Sequence, residues 1–327
     1  MSPGIVLVVG ENGAGKTNLL ESVHLATQGF SPRTRSDAQL VRFGESAGAV
    51  EARIERDEVA HIVRIRLAPG AAKTAELDGV RLPASESLRR EFPTLVFTPD
   101  RLAVIKAGPA ARRAYFDRVL GRLYPARAGL PQDYAAALAQ RNAGLRRLQL
   151  GLSGRAALAP WTERVAALGR ELVETRIETL ALLAPAFAAR TAELGLEPGM
   201  LRYEGAAPGE AALEAALEAD IARGTTGAGP HRDDVLIAAG SRDLRSFGSQ
   251  GEQRLALLAL LLAEAESLAS PPLLLLDDVL SELDGRRRRV LAERLAASGQ
   301  ALLTATERSA LPLEPAQLVE VVPGQAR

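Results

Sequence analysis

The chain contains no cysteine. That absence excludes disulfide scaffolds, thiolate zinc sites and cysteine nucleophiles, and it suits a reducing compartment. Histidine is scarce: His24, His61 and His231 are the whole complement, and no spacing among them suggests an imidazole metal site. Lysine is equally scarce, with only Lys16, Lys73 and Lys106, so nearly all of the basic charge is arginine. An excess of one charge is missing too, because forty basic residues balance forty acidic ones. No global field therefore draws the protein onto nucleic acid or an anionic membrane, and any such binding has to come from a local patch. Long apolar runs are absent. The longest, residues 255–263 and 273–276, fall far short of a bilayer span. The opening Met1-Ser2-Pro3-Gly4 leads into an apolar stretch too short for a signal peptide. These exclusions predict a soluble, cytoplasmic protein without a membrane partner.

What is present is ordinary globular material: 327 residues, 47% hydrophobic and 24% charged, which rules out disordered and low-complexity classes. Residues 5–9 form an unbroken apolar run of the kind that makes a buried strand, followed by a glycine-rich turn and helical spacing over 19–26. Short alternating segments at 50–54, 61–67, 75–77 and 94–97 predict an antiparallel sheet, with Asp78-Gly79 as a hairpin turn. From about 101 to 221 leucine, alanine and arginine recur at helical spacing. Breaks at Pro125, Pro131, 151–154, Pro185 and Pro198 predict four or five ordinary helices and no long coiled coil. The last hundred residues return to alternating strand and helix patterns, with strands at 235–238, 273–276, 301–304 and 318–322. The expected architecture is α/β. Residues 1–100 and 222–327 would form one discontinuous nucleotide-binding domain, with 101–221 as an inserted helical lobe.

The chemistry begins at Gly10-Glu11-Asn12-Gly13-Ala14-Gly15-Lys16-Thr17, which fits the phosphate-binding loop G-x-x-x-x-G-K-[ST] between a strand and a helix. Glycines let backbone N–H groups curl around a phosphate, and the helix N-terminus adds partial positive charge. Lys16 would reach the β/γ oxygens, the Thr17 hydroxyl would ligate Mg²⁺, and Asn18 opens the helix beside them. A second element, Leu273-Leu274-Leu275-Leu276-Asp277-Asp278, ends a buried strand in carboxylates. Asp277 would sit beside the loop to hold the Mg²⁺ water shell, and Asp278 could orient or deprotonate an attacking water. Upstream, Phe247-Gly248-Ser249-Gln250-Gly251-Glu252-Gln253-Arg254 leads into a long helix that Ser249 can cap, making another anion site. Downstream lies Ser281-Glu282-Leu283-Asp284.

Four such elements in this order resemble the ATP-binding-cassette ATPases: Walker A, an S-x-G-x-Q signature, Walker B and a D-loop. Within that superfamily the chain is similar to the RecF family, relatives of SMC-type heads. The likeness rests on Phe97-Thr98-Pro99-Asp100-Arg101-Leu102, on Gly108-Pro109-Ala110-Ala111-Arg112-Arg113 with Phe116-Asp117, and on Gly229-Pro230-His231-Arg232-Asp233-Asp234. The signature helix and the run 276–284 carry it as well. The resemblance implies an ABC-type head with an antiparallel β subdomain, in which two heads sandwich two ATP molecules. Ser249, Gly251 and Gln253 would then cap the nucleotide held by the partner's loop, with Lys16, Asp277 and Asp278 catalytic and Thr17 and Asp277 on Mg²⁺.

Further implications are a weak Mg²⁺-dependent ATPase used as a switch, an ATP-dependent homodimer on duplex DNA beside single-stranded gaps, and action with RecR, RecO and RecA. His231 lies in one of the family-like segments, which leaves open a role near the nucleotide or the dimer interface. The resemblance also implies an additional strand pair before the Walker A strand, absent from this chain, which would help hold the nucleoside. Thr304-Ala305-Thr306 stands where transporter ATPases place a switch histidine, and Asp278 stands where most cassette ATPases have Glu; both suggest slow hydrolysis. A transport-complex subunit would need that histidine, and an SMC-type structural protein would need hundreds of heptad residues. Arg112-Arg113, Arg141 with Arg146-Arg147, and Arg286 to Arg289 are basic clusters. Each reads as a solvated face of an arginine-rich chain or as a phosphate-contacting surface.

Overall fold

The structure is a computed structural model that describes residues 4–34, 36–56 and 58–327, the side chain of Glu86 excepted. Met1, Ser2 and Pro3 of the opening tetrapeptide lie outside the described residues. The chain divides into two compact units, Met1–Arg101 with Ala269–Arg327, and Leu102–Leu268.

The first unit is built on a six-stranded sheet in the spatial order Gln325–Ala326, Gln317–Val322, Ile5–Val9, Ala301–Ala305, Leu273–Leu276, Thr94–Phe97. All pairs are parallel except the short Gln325–Ala326 pairing. Consecutive residues such as Val6, Leu7 and Val8, or Leu274, Leu275 and Leu276, are fully buried. A parallel strand covered on both faces has no polar side to alternate with, hence the unbroken apolar runs. Register places Leu276 opposite both Leu303 and Phe97, so the carboxyl ends of these strands finish together, where α/β sheets bind ligands. The helix Lys16–Gln28 packs its Leu20 against this sheet. Its Leu25 packs against a second, antiparallel sheet of Gly48–Arg56, Val59–Leu67, Thr74–Leu77 and Val80–Arg81. There the pattern does alternate, with Val63, Ile65 and Leu67 inward. Asp78 and Gly79 both take positive φ (52° and 81°), as a two-residue hairpin turn requires.

One expectation is corrected here. Residues 94–97 do not join the antiparallel sheet; Thr94–Phe97 pairs in parallel with Leu273–Leu276. All four residues are buried, so the segment has no alternation of its own, and only its neighbours in sequence suggested a meander.

The second unit combines the helices Pro109–Leu123, Leu130–Gln149, Ala159–Glu193 and Gln250–Ser267 with an antiparallel sheet of Gly199–Glu204, Asp234–Ala239 and Arg242–Asp243. Two further expectations change. Gly199–Glu204 is a strand inside the stretch read as helical. Pro185 does not end a helix but lies within the 35-residue Ala159–Glu193. Pro185 sits on the exposed face of that helix, so water can serve the carbonyl that loses its donor. Residues 222–268, grouped by sequence with the nucleotide-binding domain, pack in this unit. Asp234–Ala239 pairs with Gly199–Glu204, and Gln250–Ser267 runs against Ala159–Glu193. Among the described residues no helix is long and apolar enough to cross a membrane.

Polar staples lock the second unit. Arg141 and Asp220 are both fully buried and pair at 2.9 Å, with Thr226 and Thr162 hydroxyls also on the guanidinium. Removing Arg141 leaves the buried Asp220 carboxylate to Arg223 and the Gly227 N–H alone. Arg141→Leu is expected to cost about 1.5–3 kcal/mol, the worth of a hydrogen bond to a charged group, read as a lowered midpoint of urea denaturation.

Candidate functional site

The glycine-rich turn leaves the Ile5–Val9 strand and enters the Lys16–Gln28 helix through Gly15, whose φ of 109° only glycine adopts without strain. Gly10 is required for a different reason: a Cβ there would stand 2.4 Å from the Val321 carbonyl oxygen. Glu11, Asn12, Gly13 and Asn18 are exposed, Ala14 is buried, and Gly15, Lys16 and Thr17 are half-buried. The turn closes on itself through the Ala14 N–H, which donates to Glu11 O at 3.2 Å. Lys16 Nζ donates to the Gly10 and Glu11 carbonyls at 2.8 and 3.0 Å, so the ammonium lies against the loop it would share with a phosphate. The first N–H groups of the following helix have no intrahelical acceptor and point out of its end.

Thr17 Oγ1 donates to both carboxylate oxygens of Asp277, at 3.1 Å each. Two residues 260 positions apart thus meet because the parallel register ends their strands and loops at one edge. Asp277 is 9% exposed, whereas Asp278 is exposed. Thr304, which sequence reading noticed only for not being histidine, holds both in place. Its hydroxyl donates to Asp277 Oδ1 at 2.7 Å and accepts from the Asp278 N–H at 2.8 Å. Asp278 has φ of 50°, a left-handed conformation rare for a residue with a Cβ and common at functional sites. A hydroxyl and a carboxylate in contact are hard oxygen donors of the kind Mg²⁺ takes. Among the described residues no group of three or more His, Cys, Asp or Glu could hold a metal alone, so phosphate oxygens and water would complete the shell.

In the second unit Ser249 caps the helix Gln250–Ser267 by a reciprocal box: its Oγ accepts from the Glu252 N–H, and Glu252 accepts from the Ser249 N–H at 2.8 Å. That bond, with Arg242 paired at 2.8 Å, holds the Glu252 carboxyl below its usual range. Ser249 and Gly251 are exposed, and the N–H groups of Gln250 and Gly251 head the helix without intrahelical acceptors. Gln253 is different. It is 4% exposed and its amide donates inward to Leu244 O at 2.7 Å, fastening the short Leu244–Phe247 turn that presents the signature. The D-loop aspartate, Asp284, accepts from the Arg287 N–H and caps the helix Gly285–Ala297.

A family model described as the RecF/RecN/SMC N terminal domain matches residues 1–325. The DNA replication and repair protein RecF of Anaeromyxobacter dehalogenans is 40% identical over 332 aligned residues, covering 94% of this chain and 87% of that protein. The chain belongs to the RecF family. A solved structure of the recombination mediator protein RecF with ATP, in the RecFOR pathway, superposes with a TM-score of 0.87 at 27% identity, covering all of this chain and 92% of the other. The Smc head domain of Pyrococcus furiosus shares the fold at a TM-score of 0.61 and 18% identity, covering 99% of this chain and 89% of the other. The fold is thus that of RecF and SMC head ATPases.

In this RecF-family chain the family-like segments 108–117 and 229–234 form one buried and half-buried network within the second unit. Arg112, 3% exposed, makes a two-pronged bond to Asp234 at 2.6 Å; Arg113 donates to Asp233 O; Arg176 grips Asp117 at 2.8 and 2.9 Å. His231 is bracketed by the Tyr134 hydroxyl on Nδ1 (2.8 Å) and Thr226 O near Nε2 (3.2 Å), and burial lowers its pKa. Burial likewise pushes the Tyr134 and Tyr203 hydroxyls and the Asp233 carboxyl up. His24 is a packed core residue bonded to Phe30 O, and His61 pairs with Asp78 on the antiparallel sheet.

The network corrects the reading of the arginine clusters. Arg112 and Arg141 are interior staples and cannot face a phosphate backbone, whereas Arg146, Arg147, Arg286 and Arg289 are exposed.

Partial burial works against ionisation of Asp234, but bonds from Arg112 and the Val235 N–H outweigh it and hold the carboxyl below its usual range. A depressed carboxyl adds stability above its unfolded pKa of about 3.9 and loses it as pH falls through the folded value. Asp234→Asn is therefore expected to be less stable than the parent by a constant margin above about pH 5. The margin should shrink below about pH 4, as urea midpoints across that range would show.

Proposed function

We propose that this chain is an ATP-dependent DNA replication and repair protein of the RecF type, working as a nucleotide-gated dimer. The observation that carries the reading is the Thr17–Asp277 contact, which joins the loop and the strand-end carboxylate into one Mg²⁺–triphosphate cradle. Lys16 would leave its loop carbonyls for the β/γ oxygens, since a charged oxygen outcompetes a peptide carbonyl for an ammonium. Bound Mg²⁺ would neutralise phosphate charge. Asp278, exposed on a left-handed backbone, would orient the attacking water. An aspartate there with threonine at 304 suits slow turnover, a timing device rather than a motor.

The signature helix supplies the dimer half of the reading. Its exposed N–H groups, capped by Ser249 and aimed by the Gln253–Leu244 bond, would roof the γ-phosphate held by a second copy. ATP would thus lie between two chains, and hydrolysis would part them. The ATP-bound dimer would clamp duplex DNA beside a single-stranded gap and act with RecR and RecO to load RecA in the cytoplasm. Contact with the backbone falls to the exposed arginines 146, 147, 286 and 289, which makes DNA binding steeply salt-dependent. Family relatives named for DNA repair support this over a transport subunit.

Two outcomes test it. Lys16→Ala is expected to abolish ATP binding in a fluorescent-nucleotide titration, and retained tight binding would remove the loop from the site. Ser249→Arg is expected to bind ATP as the parent does yet remain monomeric by light scattering with Mg²⁺ and a non-cleavable analogue. Normal dimerisation of that variant would overturn the roofing arrangement.

A further inference from the structure

The helix Ala159–Glu193 changes character near its middle, along one face. Up to Glu174 its exposed positions are mostly charged, with Glu163, Arg164, Arg170, Glu171 and Glu174 among them. From Ile177 onward they are apolar but for Glu178: Ile177, Ala181, Leu182, Pro185, Ala189 and Ala192. Residues 179–189 contain no charge at all, and Leu180, Leu183 and Phe187 on the opposite face are buried. A helix apolar all round is ordinarily covered all round. This one is not: Ile177 and Leu182 are 48% and 47% exposed. Pro185 adds a polar mark to the face. It cannot donate to Ala181 O, so that carbonyl is left for a donor from outside the helix.

The geometry points to a docking face for one amphipathic helix of a partner protein, apolar on the side it presents and bordered by lysine or arginine. Size selects a helix. From Ile177 to Ala192 the face runs about 22 Å and is about 10 Å wide, on the order of 200 Å². That is far below the roughly 800 Å² each partner of a stable globular complex buries, but it matches about four turns of helix. Charge selects the border. At one end Glu171, Glu174 and Glu178 stand against two arginines, Arg170 and Arg127, the latter on Glu178 at 2.7 Å. At the other the buried Arg190 is shared by Glu193 and Glu266, at 2.8 and 3.5 Å. Each end therefore carries one acid in excess. A phosphate backbone or an anionic bilayer would meet its own sign there. So would a second copy of the chain, since either direction of approach sets acid against acid. A basic border meets complementary charge at both ends, and one of its side chains beside Pro185 would donate to Ala181 O. The helix carries none of the nucleotide-site residues, so the face stands apart from that reading.

The test uses two fluorescein-labelled helical peptides of about eighteen residues, or five turns. They share one leucine stripe; lysine borders it in the first and glutamate in the second. By fluorescence anisotropy the lysine-bordered peptide should bind the full chain about tenfold more tightly than the other. Leu182→Glu should weaken that binding about tenfold while leaving ATP binding unchanged. Ile177→Gln serves in its place should the glutamate variant not fold. Reversing the border by Glu171→Lys with Glu174→Lys should cost the lysine-bordered peptide about threefold and improve the glutamate-bordered one, which a merely structural role would not do. Equal affinity for the two peptides, or none for the first, would overturn the proposal, as would a Leu182→Glu variant that binds like the parent. Two other results would assign the face elsewhere and overturn it as well. One is a nucleotide-independent dimer in sedimentation that Leu182→Glu abolishes, and the other is a loss of duplex DNA affinity in that variant.

Discussion

The hydrogen bond between the Thr17 hydroxyl and the Asp277 carboxylate is the contact on which the proposed nucleotide site depends. It spans 260 residues of chain, and nothing local enforces it. What enforces it is the parallel register: Ile5–Val9 and Leu273–Leu276 lie on either side of Ala301–Ala305 and run the same way, so their carboxyl ends share an edge. A slip of one residue would flip every side chain to the opposite face. Asp277 would then point away from the loop. The aliphatic rows that make up those strands are thus the device that sets a carboxylate beside a hydroxyl.

The second unit uses a different principle. Its sheet is small, and much of its specificity comes from arginines on buried or half-buried acids: Arg112 and Arg176 fork both oxygens of Asp234 and Asp117, and Arg141 pairs with one oxygen of Asp220. A planar guanidinium engages both oxygens of a carboxylate and loses little freedom in doing so, which a lysine cannot match. From the Pro109–Leu123 helix Arg112 reaches Asp234, Arg113 reaches the Asp233 carbonyl, Asp117 accepts from Arg176 of the Ala159–Glu193 helix, and Tyr115 and Arg122 reach Glu264 of the signature helix. The chain's extreme preference for arginine over lysine therefore has a structural use inside the lobe, whatever it does at the surface.

Much of this could be read from residues alone, for identifiable reasons. The phosphate loop, the Leu273–Leu276 strand and the Ser249 cap each depend on local spacing, and local spacing survives without knowledge of partners. The Asp78-Gly79 turn was legible because only a few residue types accept positive φ. Thr94–Phe97 was misassigned because a fully buried strand carries no alternation to say which sheet it joins. Gly199–Glu204 was hidden by the helical stretch around it, and Pro185 was overweighted because its exposure could not be known. Thr304 was beyond reach: it matters through a register with a strand far away in sequence. Arg112 and Arg141 misled for the opposite reason, since a basic cluster looks the same whether its partners are phosphates or buried acids.

Gly10 meets the carbonyl of Val321 so closely that no side chain fits between them. The strand Gln317–Val322 is therefore the floor of the phosphate loop, although it is separated from it by almost the whole chain. Genetic lesions in this strand would then be indistinguishable, by phenotype, from lesions in the loop itself. A search for alleles that distort this loop should therefore recover changes in Gln317–Val322 as well as in the loop.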